Sequence, residues 1–192
     1  MEIRRNFYLD KLIKRKNNGL IKVITGIRRC GKSYLLNNLF YHHLLESGVA
    51  ADHIIRFAFD SADDLYRIGE SLIGMEKEKR GADPEKFMAY IRTKVVDDGM
   101  YYLLLDEIQM LDCFEAVLNS YLRKDNMDVF VTGSNAKLLS KDIATEFAGR
   151  GDEVHMYPLS FAEFMSVYEG DKYMGLSEYM LYGGIPLVVL RD

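Results

Sequence analysis

The residues Gly26-Ile27-Arg28-Arg29-Cys30-Gly31-Lys32-Ser33 carry the spacing G-x-x-x-x-G-K-[ST]. Its glycines let the backbone curl so that successive N–H groups and a helix N-terminus face an anion. Lys32 is then placed to reach β- and γ-phosphate oxygens, and the Ser33 hydroxyl to ligate Mg²⁺. The competing reading is a glycine-rich turn with an exposed lysine. A second element, Leu103-Leu104-Leu105-Asp106-Glu107, is an apolar run ending in two acids. By itself that is a solvated strand end. Beside a phosphate loop, Asp106 suits the water shell of Mg²⁺ and Glu107 suits orienting or deprotonating an attacking water. A third run, Val129 to Thr132 followed by Gly133-Ser134-Asn135, ends in small polar groups. If this strand lies between the other two, Ser134 or Asn135 can meet the γ-phosphate; otherwise Asn135 is a helix cap.

Chemistry of this kind needs strand ends and helix starts to converge, and the periodicity supplies both. Leu20 to Thr25 reads as a strand stopped by Gly26, and Lys32 to Glu46 as a helix stopped near Gly48. His53 to Phe59 is a second strand, with a helix predicted over residues 63–73 from Leu65, Ile68 and Leu72. Asp83-Pro84-Glu85 opens another helix, running towards a stop at Gly99. Tyr101 to Leu105 is apolar without alternation, as in a strand covered on both faces. Asp112 and Glu115 have capping-box spacing, as do Ser160 and Glu163. A helix over 136–147, a fifth strand from Glu153 to Tyr157 and a last helix from Ser177 to Leu181 complete the pattern. Strands alternating with helices imply an α/β fold with a parallel sheet.

At 192 residues the chain suits one domain with a core of its own. Its 48% hydrophobic and 28% charged residues exclude disorder and a disulfide scaffold. Cys30 and Cys113 are too few for a zinc site, and no apolar run reaches membrane-spanning length, so a cytoplasmic protein is expected. Charge is uneven: residues 1–33 hold ten Lys and Arg against two acids, and the remainder fifteen against twenty-seven. That asymmetry fits an anionic ligand or nucleic acid, and equally a solvated basic face. Within the loop, Cys30 is either an oxidation-sensitive thiol or inert, and Arg28 and Arg29 face either phosphate or solvent. His42 and His43 lack ligand spacing and read as helix surface and core edge.

Taken together, these elements resemble the P-loop ATPases of the additional-strand, catalytic-glutamate division, which includes the AAA+ proteins. Arg4 with Asn6-Phe7-Tyr8-Leu9, Leu105-Asp106-Glu107-Ile108-Gln109, Thr132-Gly133-Ser134-Asn135-Ala136, Ala148-Gly149-Arg150, Pro158 to Phe164 and Tyr182-Gly183-Gly184-Ile185-Pro186 look like the archaeal and bacterial AAA+-like ATPases. The resemblance covers essentially the whole chain. It implies a three-layer P-loop NTPase fold with strand order 5-1-4-3-2, the Asn135 strand inserted between those of the loop and of Asp106. It also implies ATP rather than GTP, lying across residues 26–33 and Tyr34, with adenine against Phe7, Tyr8 and Leu9. Arg150 occupies the place of an arginine that reaches a neighbouring subunit's site; a surface arginine is the other reading. Residues 1–158 are thus expected to form the ATPase core and 159–192 the start of a helical lid or linker. Since the family usually continues further, the chain is read as a shortened form.

The expected activity is Mg²⁺-dependent ATP hydrolysis driving a conformational switch. Lys32 and Asn135 stabilise the γ-phosphate, Ser33 and Asp106 hold Mg²⁺, Glu107 activates water, and Arg150 acts in a homo-oligomer. The alternative is a nucleotide-gated module with negligible hydrolysis that recruits DNA or a protein. A small-molecule kinase is disfavoured, because Glu107 directly after Asp106 suits water as nucleophile.

Overall fold

A computed structural model describes residues 3, 5–71, 81–133 and 149–186. Its strands are β1 (Ile21–Thr25), β2 (Ile54–Ala58), β3 (Tyr101–Asp106), β4 (Met127–Thr132) and β5 (Gly151–His155), all parallel in the order β2-β3-β4-β1-β5. Read from the opposite edge, this is the order 5-1-4-3-2. The strand preceding Ser134 and Asn135 is therefore inserted between the loop strand and the Asp106 strand, with Leu103 beside Val129 and Val23 beside Val131.

Every residue of β1, β3 and β4 is buried, which accounts for their unbroken apolar character. Alternate residues feed two cores. Val23, Leu103, Leu105, Val129 and Val131 pack with Phe87 and Ile91 of α5 (Pro84–Lys94) and Leu118 of α6 (Phe114–Leu122). Ile24, Leu104 and Phe130 pack with Tyr8 and Leu12 of α1 (Asn6–Arg15) and with the helix after the loop. That helix comprises α2 (Lys32–Tyr34), a π-helical stretch (Leu35–Phe40) and α3 (Tyr41–Glu46). Layers on both faces leave the C-terminal strand ends as the natural place for a site.

The remaining helices are α4 (Ala62–Arg67), α7 (Phe161–Met165) and α8 (Lys172–Tyr182). Asp83 caps α5 by accepting the N–H groups of Glu85 and Lys86, and Ser160 and Glu163 form the reciprocal capping box of α7, as their spacing predicts. The similar spacing of Asp112 and Glu115 does not form a box. Cys113, at φ +50°, precedes α6 with no side-chain cap. The reason is tertiary: Leu111 bridges to Ala82, and the Asp112 N–H donates to the Ala82 carbonyl at 3.0 Å, which commits Asp112 to another partner. α5 also stops at Lys94 rather than at Gly99, because the Val96 N–H donates to the Tyr101 hydroxyl at 3.1 Å and draws the chain out of the helix. β5 starts at Gly151, where pairing with Ile21 begins, and α8 starts at Lys172, where Asp171 caps it. The helix expected over 136–147 lies outside the described residues. The one expected over 63–73 is shorter: α4 ends at Arg67, because Gly69 at φ +71° turns the chain and the Gly69 and Glu70 N–H groups close back onto the Tyr66 and Leu65 carbonyls; residues 72–73 lie outside the described part. Among the described residues no helix is long and apolar enough to cross a membrane.

Candidate nucleotide site

The turn after β1 is built from backbone conformations that side chains disfavour. Gly26, Arg29 and Gly31 have φ of +140°, +68° and +100°. Gly26 also needs its missing side chain, since a Cβ would stand 2.2 Å from the Met156 carbonyl oxygen. Among the described residues, the backbone N–H groups of Arg28, Arg29, Gly31 and Ser33 find no backbone acceptor. Alternation of this kind makes a concave nest of N–H donors, the geometry that binds phosphate. Lys32 is buried, and its Nζ donates to the loop's own Gly26 and Ile27 carbonyls at 3.0 and 2.9 Å. Ile27, Arg28, Arg29 and Ser33 are exposed, and so is Tyr34.

Three strands end beside this loop. Asp106, the last residue of β3, is buried; its carboxylate accepts from the Thr132 hydroxyl at the end of β4, and from Asn37 Nδ2 at 3.2 Å. The Ser33 hydroxyl stands close enough to the same carboxylate to favour its charged form. Burial pushes the Asp106 carboxyl above the usual carboxylate range; the hydroxyls of Thr132 and Ser33 oppose this, while the charges of Glu107 and Asp60 add to it. Such a cluster attracts a cation and is relieved by one. Glu107 follows at φ +51°, its N–H donating to Thr132 Oγ1 at 3.1 Å and its carboxylate accepting from Gln109 Nε2. Ser33, Asp106 and Glu107 thus meet, while Lys32 turns its ammonium onto the carbonyls of its own loop. Thr132, Asn37 and Asp60 join them without having been singled out. Asn37 has no motif of its own; it lies within the π-helical stretch, a distortion frequent at functional sites.

Asn135 lies outside the described residues, which end on this side at Gly133. Cys30 is fully buried, and burial pushes its thiol up against the opposing charges of Lys32 and Arg5, so it sits as an inert packing group. Of the residues expected near adenine, Phe7 is exposed with the Lys11 ammonium 4.1 Å from its ring centre, and Leu9 is half-buried. Tyr8 is buried and its hydroxyl accepts the Tyr157 N–H at 3.1 Å. Arg150 is separated from all of these. Its carbonyl accepts the N–H of Ile21, the first residue of β1, and its guanidinium donates to Asn119 at 3.2 Å. The five residues of β1 stand between Arg150 and the loop, about 16 Å at the rise of a strand.

A phosphate-type loop after β1, acids closing β3 and a strand inserted between them define the architecture of an AAA+-like P-loop ATPase core. The chain belongs to the AAA domain family, whose model matches residues 18–165. It is 36% identical over 196 residues to an uncharacterized protein of Haemophilus influenzae, covering 99% of this chain and 45% of that protein. It is 28% identical over 198 residues to an uncharacterized protein of Methanocaldococcus jannaschii, covering 95% of this chain and 38% of that one. The chain thus spans less than half the length of these curated relatives. Among solved structures, a Walker-type ATPase of Pyrococcus abyssi aligns with a TM-score of 0.64 at 16% identity, over 98% of this chain and 65% of that one. The ORC1 protein of Aeropyrum pernix, in complex with DNA, aligns with a TM-score of 0.54 at 12% identity, over 93% and 50% of the two chains. These two structures share the fold.

Proposed function

We propose that this chain binds ATP with Mg²⁺ and hydrolyses it, turnover driving a conformational switch. The observation that carries the reading is the meeting of the Ser33 hydroxyl with the buried Asp106 carboxylate beside a left-handed loop with free N–H groups. The loop accepts the phosphates on those N–H groups, and Lys32 exchanges its bonds to the Gly26 and Ile27 carbonyls for bonds to phosphate oxygens. Ser33 and Asp106 would hold Mg²⁺, which supplies charge neutralisation at the phosphate oxygens. Glu107, oriented by Gln109 and by its backbone bond to Thr132, takes the proton of the attacking water. Asn135, two residues beyond the end of the described part of that strand loop, is assigned to the γ-phosphate, and Phe7, Tyr8 and Leu9 to the adenine side.

Arg150 cannot reach its own loop past β1, so its charge serves a neighbouring copy in a homo-oligomer. The same observation favours a second reading: a solitary chain lacks the arginine that completes the site, and holds nucleotide as a gate for recruiting a protein or DNA. DNA as the recruited partner is supported by the structural likeness to a DNA-bound protein and by the basic residues 1–33.

The test is ATP turnover with Mg²⁺ across a protein concentration series, with Lys32→Ala and Glu107→Gln as controls. Turnover per chain that climbs with concentration and falls at least about a hundredfold in Glu107→Gln, which still binds ATP, supports the ATPase reading. Tight binding without turnover at any concentration selects the gate. Equal turnover by Glu107→Gln and wild type removes Glu107 from its role, and nucleotide binding by Lys32→Ala at wild-type affinity removes the loop from its own.

A further inference from the structure

Arg5 is buried at 3% exposure, and the chemistry above does not use it. Its guanidinium contacts four parts of the molecule at once. Nη1 donates to the Cys30 carbonyl of the phosphate loop at 3.2 Å, and Nη2 to the Tyr157 carbonyl beyond β5 at 2.8 Å. Nε lies 2.9 Å from Glu163 Oε1 of α7, while the group's face rests on the Tyr8 ring with its carbon 4.6 Å from the ring centre. Nε finds no aligned acceptor, so the contact to Glu163 is an ion pair rather than a hydrogen bond.

Each contact has a consequence for the loop. In a trans peptide the C=O and the following N–H point in opposite directions. Holding the Cys30 carbonyl against Arg5 therefore aims the Gly31 N–H, which has no backbone acceptor among the described residues, away from Arg5 and into the loop. Glu163 is itself fixed, its Oε2 accepting from the Ser160 N–H at 2.8 Å and from the Ser160 hydroxyl at 3.0 Å. α7 and α8 form one unit, joined by the rings of Phe161, Phe164 and Tyr179 and by the Leu159 N–H donating to the Gly184 carbonyl. Among the described residues, the hydrogen bonds of that unit stay within it, and Arg5–Glu163 is the one ion pair joining it to the sheet layers.

We propose that Arg5 is a positioning residue for the nucleotide site, its guanidinium holding the Cys30 carbonyl and Glu163 together so that nucleotide binding and docking of the α7–α8 unit are coupled. This rests on the nucleotide-binding reading above. Linkage then makes the effect reciprocal: whatever docking adds to nucleotide affinity, nucleotide adds to docking.

The test titrates MgADP calorimetrically into the whole 192-residue chain and follows hydrogen exchange of the α7 amides with and without saturating MgADP. Glu163→Gln removes the charge but keeps a side chain able to cap α7. It should bind MgADP about tenfold more weakly, within the 5–150-fold span typical of coupled sites, and lose the MgADP-dependent slowing of α7 exchange seen in wild type. Arg5→Lys, whose single ammonium cannot bridge both acceptors, should behave likewise and not rescue. Wild-type affinity and wild-type slowing in Glu163→Gln overturn the coupling. Wild-type protein that binds MgADP with α7 exchange unchanged also overturns it, and that comparison decides alone if both variants melt before titration. Wild-type protein that binds no MgADP overturns the nucleotide reading itself.

Discussion

The hydroxyl of Thr132, at the end of β4, donates to the carboxylate of Asp106, at the end of β3, and accepts the N–H of Glu107 at 3.1 Å. One side chain thereby fixes the buried acid and the backbone of the acid after it. Thr132→Val keeps the shape and removes both bonds, leaving buried groups unsatisfied at a cost of about 1–3 kcal/mol. Urea unfolding should show that loss, and turnover should fall at least about tenfold as Glu107 loses its backbone anchor. Thr132→Ser should restore both; a valine variant as stable and active as wild type would remove this role.

Gly26 has a steric requirement of a different kind. Its φ of +140° and the Met156 carbonyl oxygen 2.2 Å from any added Cβ leave no room for a methyl group. Gly26→Ala should therefore shift the loop away from the end of β5, weakening MgADP binding by at least about tenfold in calorimetry, because misplacement near 1 Å already carries losses of that size or more. Gly48→Ala, at φ +88° with nothing within 4 Å of its Cβ, is the control for backbone strain without a clash, and should leave MgADP affinity intact.

Arg150 and the loop lie at opposite ends of β1, which makes a mixing experiment decisive. Arg150→Ala retains a complete loop, and Lys32→Ala retains its arginine. Each alone should turn over ATP poorly, and an equimolar mixture should regain activity as mixed assemblies form with one complete site per pair. No recovery on mixing, with both variants folded, would assign Arg150 to the surface.

Far from the loop, Lys22 and Asp128 form a buried ion pair between β1 and β4, with Lys22 Nζ also donating to the Leu20 carbonyl at 2.7 Å and the Asn17 N–H to Asp128 at 2.8 Å. Asp128→Asn strands a buried ammonium and should cost about 3–5 kcal/mol in denaturant unfolding, whereas Lys22→Met with Asp128→Leu should approach wild-type stability. Burial holds the Lys22 ammonium below the ordinary lysine range, with Asp128 opposing. Between that lowered value and the ordinary one, about 10.4, the unfolded chain binds more protons than the folded chain, so this group's contribution to stability rises with pH. The double variant should lack that rise when unfolding is compared at successive alkaline pH values.

The sequence by itself determined the alternation of strands and helices, the Gly26–Ser33 loop after β1, the place of Asp106 and Glu107 at the end of β3 and the parallel class of the sheet. Each of these is local: glycines with a lysine at fixed spacing, or an unbroken apolar run ending in acids, carry their meaning within a few residues. The Asp112–Glu115 spacing shows the limit, since a cap is local only until a distant residue such as Ala82 claims the capping position. The tertiary structure alone decided the partners of long sequence separation: Thr132 with Asp106, Asn37 with Asp106, and Arg5 with Cys30 and Glu163. A lone threonine, asparagine or arginine carries no periodicity and no motif. Its role exists only once the parallel sheet has brought strand ends 26 residues apart in sequence side by side, and the burial that results makes an unmade hydrogen bond costly.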